Sequence, residues 1–274
     1  GKTAELAATI AEEGENSPAD VFFAQDPGGL GALTDRFIAL PQETLERVDP
    51  RFRDPQAHWI GISGRARVVV YNQNEVDVDD LPEGLEGFTE PEWEGRLGWA
   101  PTNASFQTMV TAMRAQWGDE RTRQWLQGIL ANNPEVYDGN TPIVAAVGSG
   151  EIDAGFVNHY YLYRFLSEEG ESFLARNYFL PGGGPGALVM VAGVGILESS
   201  DNQEAALELV NYLLSEEAQQ YFSEETYEYP LADDVPAQPE LTPLSQLNTT
   251  EIDLADLSDL QGTLRLLREA GALP

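Results

Sequence analysis

The feature that most constrains the fold is the stretch from Trp59 to Asn72, which is rich in β-branched and aromatic residues. This composition predicts a β-strand, and its length is well above the usual ~5–6 residues. A strand this long can belong to two lobes at once. The glycine-spaced apolar run from Ala187 to Leu197 is the candidate for a return crossing, and it is shorter than the ~20 residues that span a bilayer.

Helical and strand patterns alternate along the rest of the chain. We predict an amphipathic helix over 3–13, a buried strand over 21–24 and a helix that begins at Ser105 and ends at Trp117. A longer amphipathic pattern predicts one helix from Asp201 to Tyr221. This alternation indicates an α/β protein built in layers.

The charge balance restricts the partners of the chain. It has 46 acidic and 15 basic residues, a formal net charge of −31, and Lys2 is its only lysine. Such a surface repels nucleic acid and anionic lipid, and it attracts cations. The alternative interpretation is solvation in a high-salt environment. The absence of cysteine excludes disulfides and thiolate metal sites.

A pair of tyrosines, Tyr160 and Tyr161, follows an apolar run over 152–157 that predicts a short buried strand. At a strand-to-helix turn, two consecutive side chains lie roughly 100° apart and can converge on one point. Two phenolate oxygens suit a trivalent cation, although free tyrosine titrates near ~10. The ordinary alternative is a pair of core or interface aromatics with satisfied hydroxyl groups.

Two further places suit a ligand. Asn103 and Ser105 flank the start of a predicted helix, where free N–H groups either bind an anion or are satisfied by ordinary capping. Gln25 and Asp26 form a polar loop at the carboxyl end of a buried strand, which is where open α/β sheets place ligands. Catalysis has little support, because the chain contains no Ser-His-Asp or nucleotide-phosphate pattern.

Five motifs occur in a familiar order, at 19–26, 64–72, 101–106, 158–161 and 228–231. Together they resemble the ferric-iron-binding proteins of bacterial ABC transporters, which are extracellular solute-binding proteins of the transferrin-like class. The resemblance implies an α/β, two-lobe periplasmic-binding-protein (type II) fold with a strand hinge. It places 1–66 and 190–240 in the N-terminal lobe, and 67–189 and 241–274 in the C-terminal lobe. The first strand of the fold is expected ahead of Gly1.

The resemblance also implies a site between the lobes. Tyr160 and Tyr161 match the tyrosine ligands of Fe³⁺. A synergistic anion, carbonate or phosphate, matches the helix start and two asparagines: Asn103, Ala104, Ser105, Asn140 and Asn158. The family implies a monomer outside the cytoplasm, in the periplasm or anchored by lipid at the outer face of the cell membrane, that delivers iron to a membrane permease.

The chain departs from the family pattern at several ligand positions. Many members supply a glutamate where this chain has Gln25 followed by Asp26. A neutral Gln25 is a weak ligand for Fe³⁺, and Asp26 can be a ligand only if its carboxylate points towards the metal. Other members have a tyrosine where this chain has Phe106. A histidine or tyrosine ligand of the first strand is expected ahead of Gly1.

Other polar residues near these motifs have two interpretations each. His58 and His159 are of a residue type that binds metals. The ordinary alternatives are that His58 is a loop histidine and that the His159 ring points away from the metal. Arg65 and Arg67 either pair with the anion or form salt bridges with the acidic surface.

The alternative function keeps the fold and binds a small organic ligand or anion, such as a phosphonate, thiamine or a polyamine.

Overall fold

Short helices and strands alternate in a mixed α/β fold. The computed structural model describes residue 1 and residues 3–232, 235–249 and 252–274. Its helices are α1 (Thr3–Glu13), α2 (Pro27–Gly31), α3 (Gln42–Leu45), α4 (Ala104–Trp117), α5 (Asp119–Ala131), α6 (Asn140–Ser149), α7 (Tyr160–Glu169), α8 (Gln203–Leu213), α9 (Glu216–Thr226) and α10 (Leu260–Ala270). Its strands are β1 (Val21–Ala24), β2 (Ile60–Asn72), β3 (Leu97–Trp99), β4 (Glu135–Val136), β5 (Ala154–Asn158), β6 (Ala175–Tyr178), β7 (Val189–Ile196) and β8 (Tyr229–Pro230). None of the helices in these residues is long and apolar enough to cross a membrane.

The long predicted strand is confirmed as β2, and all of its residues are buried. Successive side chains of a strand point to opposite faces of the sheet. Val69 and Tyr71 accordingly pack into one apolar cluster, while Val68 and Val70 pack into another. Because β2 is covered on both faces, apolar residues need not alternate with polar ones, and Val68, Val69 and Val70 follow one another.

The chain divides into two compact units. Unit 1 comprises Gly1–Arg65, Met190–Thr242 and Ile252–Ser258, and unit 2 comprises Ala66–Val189, Pro243–Glu251 and Asp259–Pro274. These bounds differ from the predicted lobes chiefly at 252–258, where Leu254 and Leu257 are buried and the segment packs against α2. The chain passes between the units inside β2, after Arg65, and at the start of β7, after Val189.

Each unit has its own strand pairing. In unit 1, β1 is antiparallel to β7, β7 lies next to β2, and β8 pairs with β2 through Ser63 and Gly64. In unit 2, Val69 of β2 lies opposite Phe156 of β5 on one side and Tyr178 of β6 on the other. Strand β5 continues the sheet through parallel pairing with β3, which in turn pairs with β4. After the carboxyl end of β5, one residue, His159, connects the strand to α7.

The helix predicted over Asp201 to Tyr221 is wrong as a single element. The structure has two helices, α8 and α9, separated by Leu214 and Ser215. Ser215 has an extended backbone (φ −68°, ψ 157°), and its hydroxyl oxygen accepts a hydrogen bond from the backbone N–H of Ala218 at 3.3 Å. A serine that caps a helix in this way begins a new one. The bounds predicted for α1 and β1 are confirmed.

Candidate functional site

Two tyrosines begin α7 immediately after β5 and His159. Tyr160 is 7% exposed, and Tyr161 is half-buried. Their rings stack, with centroids 4.4 Å apart and planes inclined by 28°. The guanidinium carbon of Arg164 lies 5.6 Å from the Tyr160 centroid and 5.5 Å from the Tyr161 centroid. This cation–π contact helps to hold the two rings in one orientation.

The turn before the tyrosines is fixed by His159, which is fully buried. The ring Nδ1 of His159 accepts a hydrogen bond from the backbone N–H of Ala66 at 3.1 Å. The backbone N–H of His159 donates to the Ala66 carbonyl at 3.0 Å. The Asn177 amide donates to the His159 carbonyl at 2.8 Å. Because Nδ1 accepts a hydrogen bond, this assignment makes Nε2 the protonated nitrogen of a neutral ring. His159 therefore attaches the turn to β2.

The start of α4 is capped by its own polar residues. The Asn103 Oδ1 accepts hydrogen bonds from the backbone N–H groups of Ser105 (3.0 Å) and Phe106 (3.4 Å), and from the Ser105 hydroxyl (2.6 Å). The Asn140 amide donates to the Asn103 Oδ1 at 3.3 Å and to the Ser105 Oγ at 3.4 Å. Ordinary capping is thus present, and it joins α4 to the start of α6.

Arg67 of β2 lies at the centre of this cluster and is 1% exposed. Its Nη1 donates to the Ser105 Oγ at 3.2 Å, the Asn140 Oδ1 at 3.4 Å and the Asn158 Oδ1 at 3.0 Å. The backbone N–H of Asn158 also donates to the Asn140 Oδ1 at 3.1 Å. The structure therefore gathers four of the five predicted anion-binding residues, Asn103, Ser105, Asn140 and Asn158, around one arginine. The fifth, Ala104, is the first residue of α4.

The rest of the Arg67 guanidinium has no hydrogen-bond partner among the described residues. Its Nε and Nη2 atoms are both buried, and so are those of Arg65. Leaving a buried donor unsatisfied costs about 1–3 kcal/mol, and more when it is charged. Burial lowers the pKa of Arg67 to about 9, while the nearby Tyr160 and Tyr161 oppose this shift.

Neither arginine forms an ion pair with a described carboxylate. The alternative of salt bridges from Arg65 and Arg67 to the acidic surface is therefore wrong for this part of the chain. Sequence reasoning named Arg67 but left it out of the predicted site. A usable signal was present, because Arg67 is a charged residue between Ala66 and the valines at 68–70. A charge inside a strand buried on both faces needs partners.

The model of the bacterial extracellular solute-binding protein family matches residues 16–254. The chain belongs to this family.

A major ferric iron-binding protein of Neisseria meningitidis is 34% identical over 97% of this solute-binding protein and 82% of its own length. Iron-bound HitA from Pseudomonas aeruginosa is 36% identical, with a TM-score of 0.91 over 99% of this chain and 89% of HitA. A Trichodesmium protein in complex with iron and citrate is 28% identical, with a TM-score of 0.88 over 99% and 89% of the two chains. The predicted two-lobe, periplasmic-binding-protein fold class is confirmed, and the protein is a binding protein rather than an enzyme.

The polar loop of this solute-binding protein that holds Gln25 and Asp26 belongs to unit 1. The Asp26 Oδ1 caps α2 by accepting a hydrogen bond from the backbone N–H of Gly29 at 2.9 Å. Gln25 is exposed, and its backbone N–H donates to the Thr3 hydroxyl oxygen at 3.4 Å. One carboxylate oxygen of Asp26 is therefore occupied by local structure, and the ligand role of both residues stays a prediction.

The remaining candidates have structural partners. Phe106 is buried and meets Trp99 edge to face, with ring centroids 5.6 Å apart. The His58 Nδ1 lies 3.1 Å from the Oδ2 of the buried Asp54. No group of three or more histidine, aspartate or glutamate side chains suited to a metal occurs among the described residues.

Proposed function

We propose that this solute-binding protein captures ferric iron and delivers it to an ABC-transporter permease. The observation that supports the proposal most is the stacked pair Tyr160 and Tyr161 at the start of α7, beside the buried cationic cluster around Arg67. The family match and the relatives named for ferric iron add independent support. The relatives named as periplasmic support a location outside the cytoplasm, and the finer alternatives are the periplasm or a lipid anchor at the outer face of the cell membrane.

In the proposed mechanism, Tyr160 and Tyr161 bind Fe³⁺ as phenolates. Each loses its proton to solvent when the metal binds, so the affinity for iron falls as the pH falls. Two phenolates neutralise two of the three positive charges of the ion. An anion then offsets the remaining charge and occupies coordination positions that the tyrosines leave open. Gln25 and Asp26 are retained as proposed additional ligands.

The proposed anion is carbonate or phosphate, held by the residues at the start of α4 and the two asparagines. A helix N-terminus favours negative charge through its dipole and its N–H groups. Asn140 and Asn158 are buried and belong to the same hydrogen-bonded cluster as Asn103 and Ser105. The citrate in the Trichodesmium relative suggests that a carboxylate can serve in the same way.

Iron titration with visible spectroscopy tests the tyrosine ligands. We expect iron loading to produce a phenolate-to-metal charge-transfer band that Tyr160→Phe and Tyr161→Phe each remove or strongly weaken. Tyr163→Phe is the matched control, since Tyr163 is a buried tyrosine of the same helix outside the proposed ligand set. A fully loaded but colourless protein would overturn the proposal.

The transport part of the proposal has separate measurements. Light scattering should give the mass of a monomer, and cell fractionation should find the protein outside the cytoplasm. Crosslinking in intact cells should join it to a membrane permease. Recovery from the cytoplasm alone would contradict the delivery role.

The buried Arg67 distinguishes between the alternative organic ligands, which are a phosphonate, thiamine and a polyamine. Arg67 has no ion pair among the described residues, so it attracts a phosphonate and repels a cation that binds without an anion, such as thiamine or a polyamine. A thermal-shift panel of ferric salts against these compounds separates the two functions, because a ligand that binds only the folded state stabilises it once the ligand concentration exceeds the Kd. Stabilisation by a phosphonate but not by ferric salts would favour the alternative.

A further inference from the structure

Helix α7 begins without the side-chain cap that stabilises the start of many helices. Its N-cap residue is His159, which has a helical backbone (φ −57°, ψ −39°) and makes no capping hydrogen bond with its side chain. A cap normally satisfies an N–H group of the first turn and so fixes that turn locally. The orientation of this first turn, which holds Tyr160 and Tyr161, therefore depends on contacts with other elements.

The pairing of β5 with β2 continues for one residue beyond the end of β5. Arg67 lies opposite Asn158. The next pair in this antiparallel register is Ala66 and His159. In a hydrogen-bonded pair of antiparallel strands, each backbone N–H donates to the carbonyl of the opposite residue. The His159 N–H does so at 3.0 Å, but the Ala66 N–H donates instead to the ring Nδ1 of His159 at 3.1 Å.

The ring nitrogen of His159 thus takes the place of its backbone carbonyl. That carbonyl accepts a hydrogen bond from the Asn177 amide of β6 at 2.8 Å. Ala66 and His159 are both buried, so without the ring the Ala66 N–H would lose a partner that water cannot replace. Buried backbone N–H groups are almost always paired. The side chain of His159 therefore lets the chain pass from β5 into α7 in one residue.

The same ring contacts the tyrosine pair. The ring centroids of His159 and Tyr160 lie 5.7 Å apart, and their planes meet at 89°. Tyr160 in turn stacks on Tyr161. A displacement of the His159 ring therefore moves both tyrosines. Groups that act together at a binding site need to be held within about 0.5 Å of the productive geometry.

We propose that His159 is a positioning residue for the tyrosine pair, because the acceptor at its Nδ1 atom attaches the start of α7 to Ala66 of β2. The requirement is for a hydrogen-bond acceptor at this position, and not for an imidazole that binds metal. The inference deepens the proposed function and rests on it for the binding of iron. The contact with Ala66 itself forms without iron.

Three substitutions of His159 separate the acceptor from the ring. In His159→Asn, the Oδ1 atom lies as many bonds from Cα as Nδ1 does, and it can accept a hydrogen bond from the Ala66 N–H. In His159→Gln the acceptor lies one bond further out, and His159→Leu has no acceptor. Each full-length variant is titrated at constant pH with ferric iron, supplied as its nitrilotriacetate complex, and followed by the charge-transfer band.

The position of the acceptor predicts the order of the iron affinities. Loss of an outer partner of a metal ligand usually weakens metal binding by about 10- to 100-fold, and we expect this loss in His159→Gln and His159→Leu. His159→Asn should bind iron within about 3-fold of the parent, because it restores the contact with Ala66.

Asn132→Leu is the matched control for lost stability. Asn132 is a buried residue of the same unit, and its amide donates to the carbonyls of Phe88 (3.1 Å) and Glu90 (2.8 Å). We expect Asn132→Leu to lower the melting temperature and to leave the iron affinity and the wavelength of the band unchanged. A merely structural role of His159 would give the same result for His159→Leu.

Three results would overturn the proposal. They are a His159→Leu variant that binds iron as tightly as the parent, a His159→Asn variant that binds it as weakly as His159→Leu, and an equal loss of affinity in Asn132→Leu. If His159→Leu and His159→Gln fail to fold, His159→Asn decides. Affinity close to that of the parent then supports the proposal, and a loss of more than about 10-fold overturns it.

Nuclear magnetic resonance of the iron-free protein separates this inference from the proposed function. We expect a scalar coupling across the hydrogen bond between the Ala66 amide nitrogen and the His159 Nδ1. We also expect a ring-to-ring nuclear Overhauser effect between Tyr160 and Tyr161 that His159→Asn keeps and His159→Leu loses. Both signals in a parent that binds no iron would contradict the proposed function alone. A parent that binds iron but lacks the coupling would overturn the inference alone.

Discussion

Gln219 of α9 makes a strong prediction about stability, because all four hydrogen-bonding positions of its side chain are used inside unit 1. It is 0% exposed. Its Nε2 donates to the carbonyls of Ile62 and Leu213, both at 2.8 Å. Its Oε1 accepts from the backbone N–H groups of Leu231 (2.8 Å) and Ala232 (3.1 Å). One side chain thus joins β2, the end of α8 and the segment after β8.

Truncation by Gln219→Ala removes all four bonds and leaves four backbone groups buried without these partners. Each bond contributes about 1 kcal/mol net, and orphaned groups add to the cost. We therefore expect the free energy of unfolding to fall by about 3–5 kcal/mol, which is large for one substitution. Urea unfolding followed by circular dichroism measures this loss.

Two companion variants make the test decisive. Gln219→Met fills nearly the same volume without the amide, so a similar loss would assign the effect to hydrogen bonds rather than to a cavity. Gln220→Ala changes the exposed neighbour, whose side-chain amide donates to the Glu216 carboxylate at 3.3 Å. Its effect should stay within about 0.5 kcal/mol. A loss below about 1 kcal/mol for Gln219→Ala, or equal losses at both positions, would refute the reasoning.

Three further predictions concern helix caps and charge. Asn103→Ala should lower the free energy of unfolding by about 1–2 kcal/mol in urea, because it uncaps α4; an unchanged midpoint would contradict the cap. The hydrogen bond from the Gly262 N–H, aided by Arg114, lowers the pKa of Asp259. Its contribution to stability is therefore complete above about pH 4 and is lost as the pH falls through the lowered value. Asp259→Asn keeps a cap but takes up no proton, so urea unfolding below about pH 4 should show a weaker pH dependence than in the parent; identical profiles would argue against this assignment. Raising NaCl from about 0.1 to about 1 M shortens the Debye length from about 10 to about 3 Å, so screening of the −31 charge should raise the melting temperature; a fall would argue against self-repulsion.

Local patterns in the sequence predicted the elements whose structure depends on neighbouring residues. The strand β2 is encoded by its own β-branched run, and α1 by its apolar period and the glycine after it. The break between α8 and α9 was missed because the apolar pattern continues through it. Only the local bond of the Ser215 hydroxyl distinguishes a cap from a serine inside a helix.

Partners that are distant in the sequence could not be predicted in the same way. Gln219 looks like an ordinary helix residue, because its acceptors and donors at 62 and 231–232 are known only once the strands are placed. Arg67 was recognised as a candidate, but its three acceptors come from α4, α6 and β5. Asp26 was predicted to face a ligand, and its capping of α2 emerged only from the backbone geometry.

The interleaving of the two units along the chain affects what a protease or a gene fusion can do to this protein. Segments of one unit alternate with segments of the other from Gly1 to Pro274. A single nick anywhere between residues 73 and 180 yields two fragments that each contain pieces of both units. Neither unit can be expressed as one uninterrupted peptide. Neither unit can therefore be isolated by one cut of the chain or exchanged as one segment, and both units must be synthesised together.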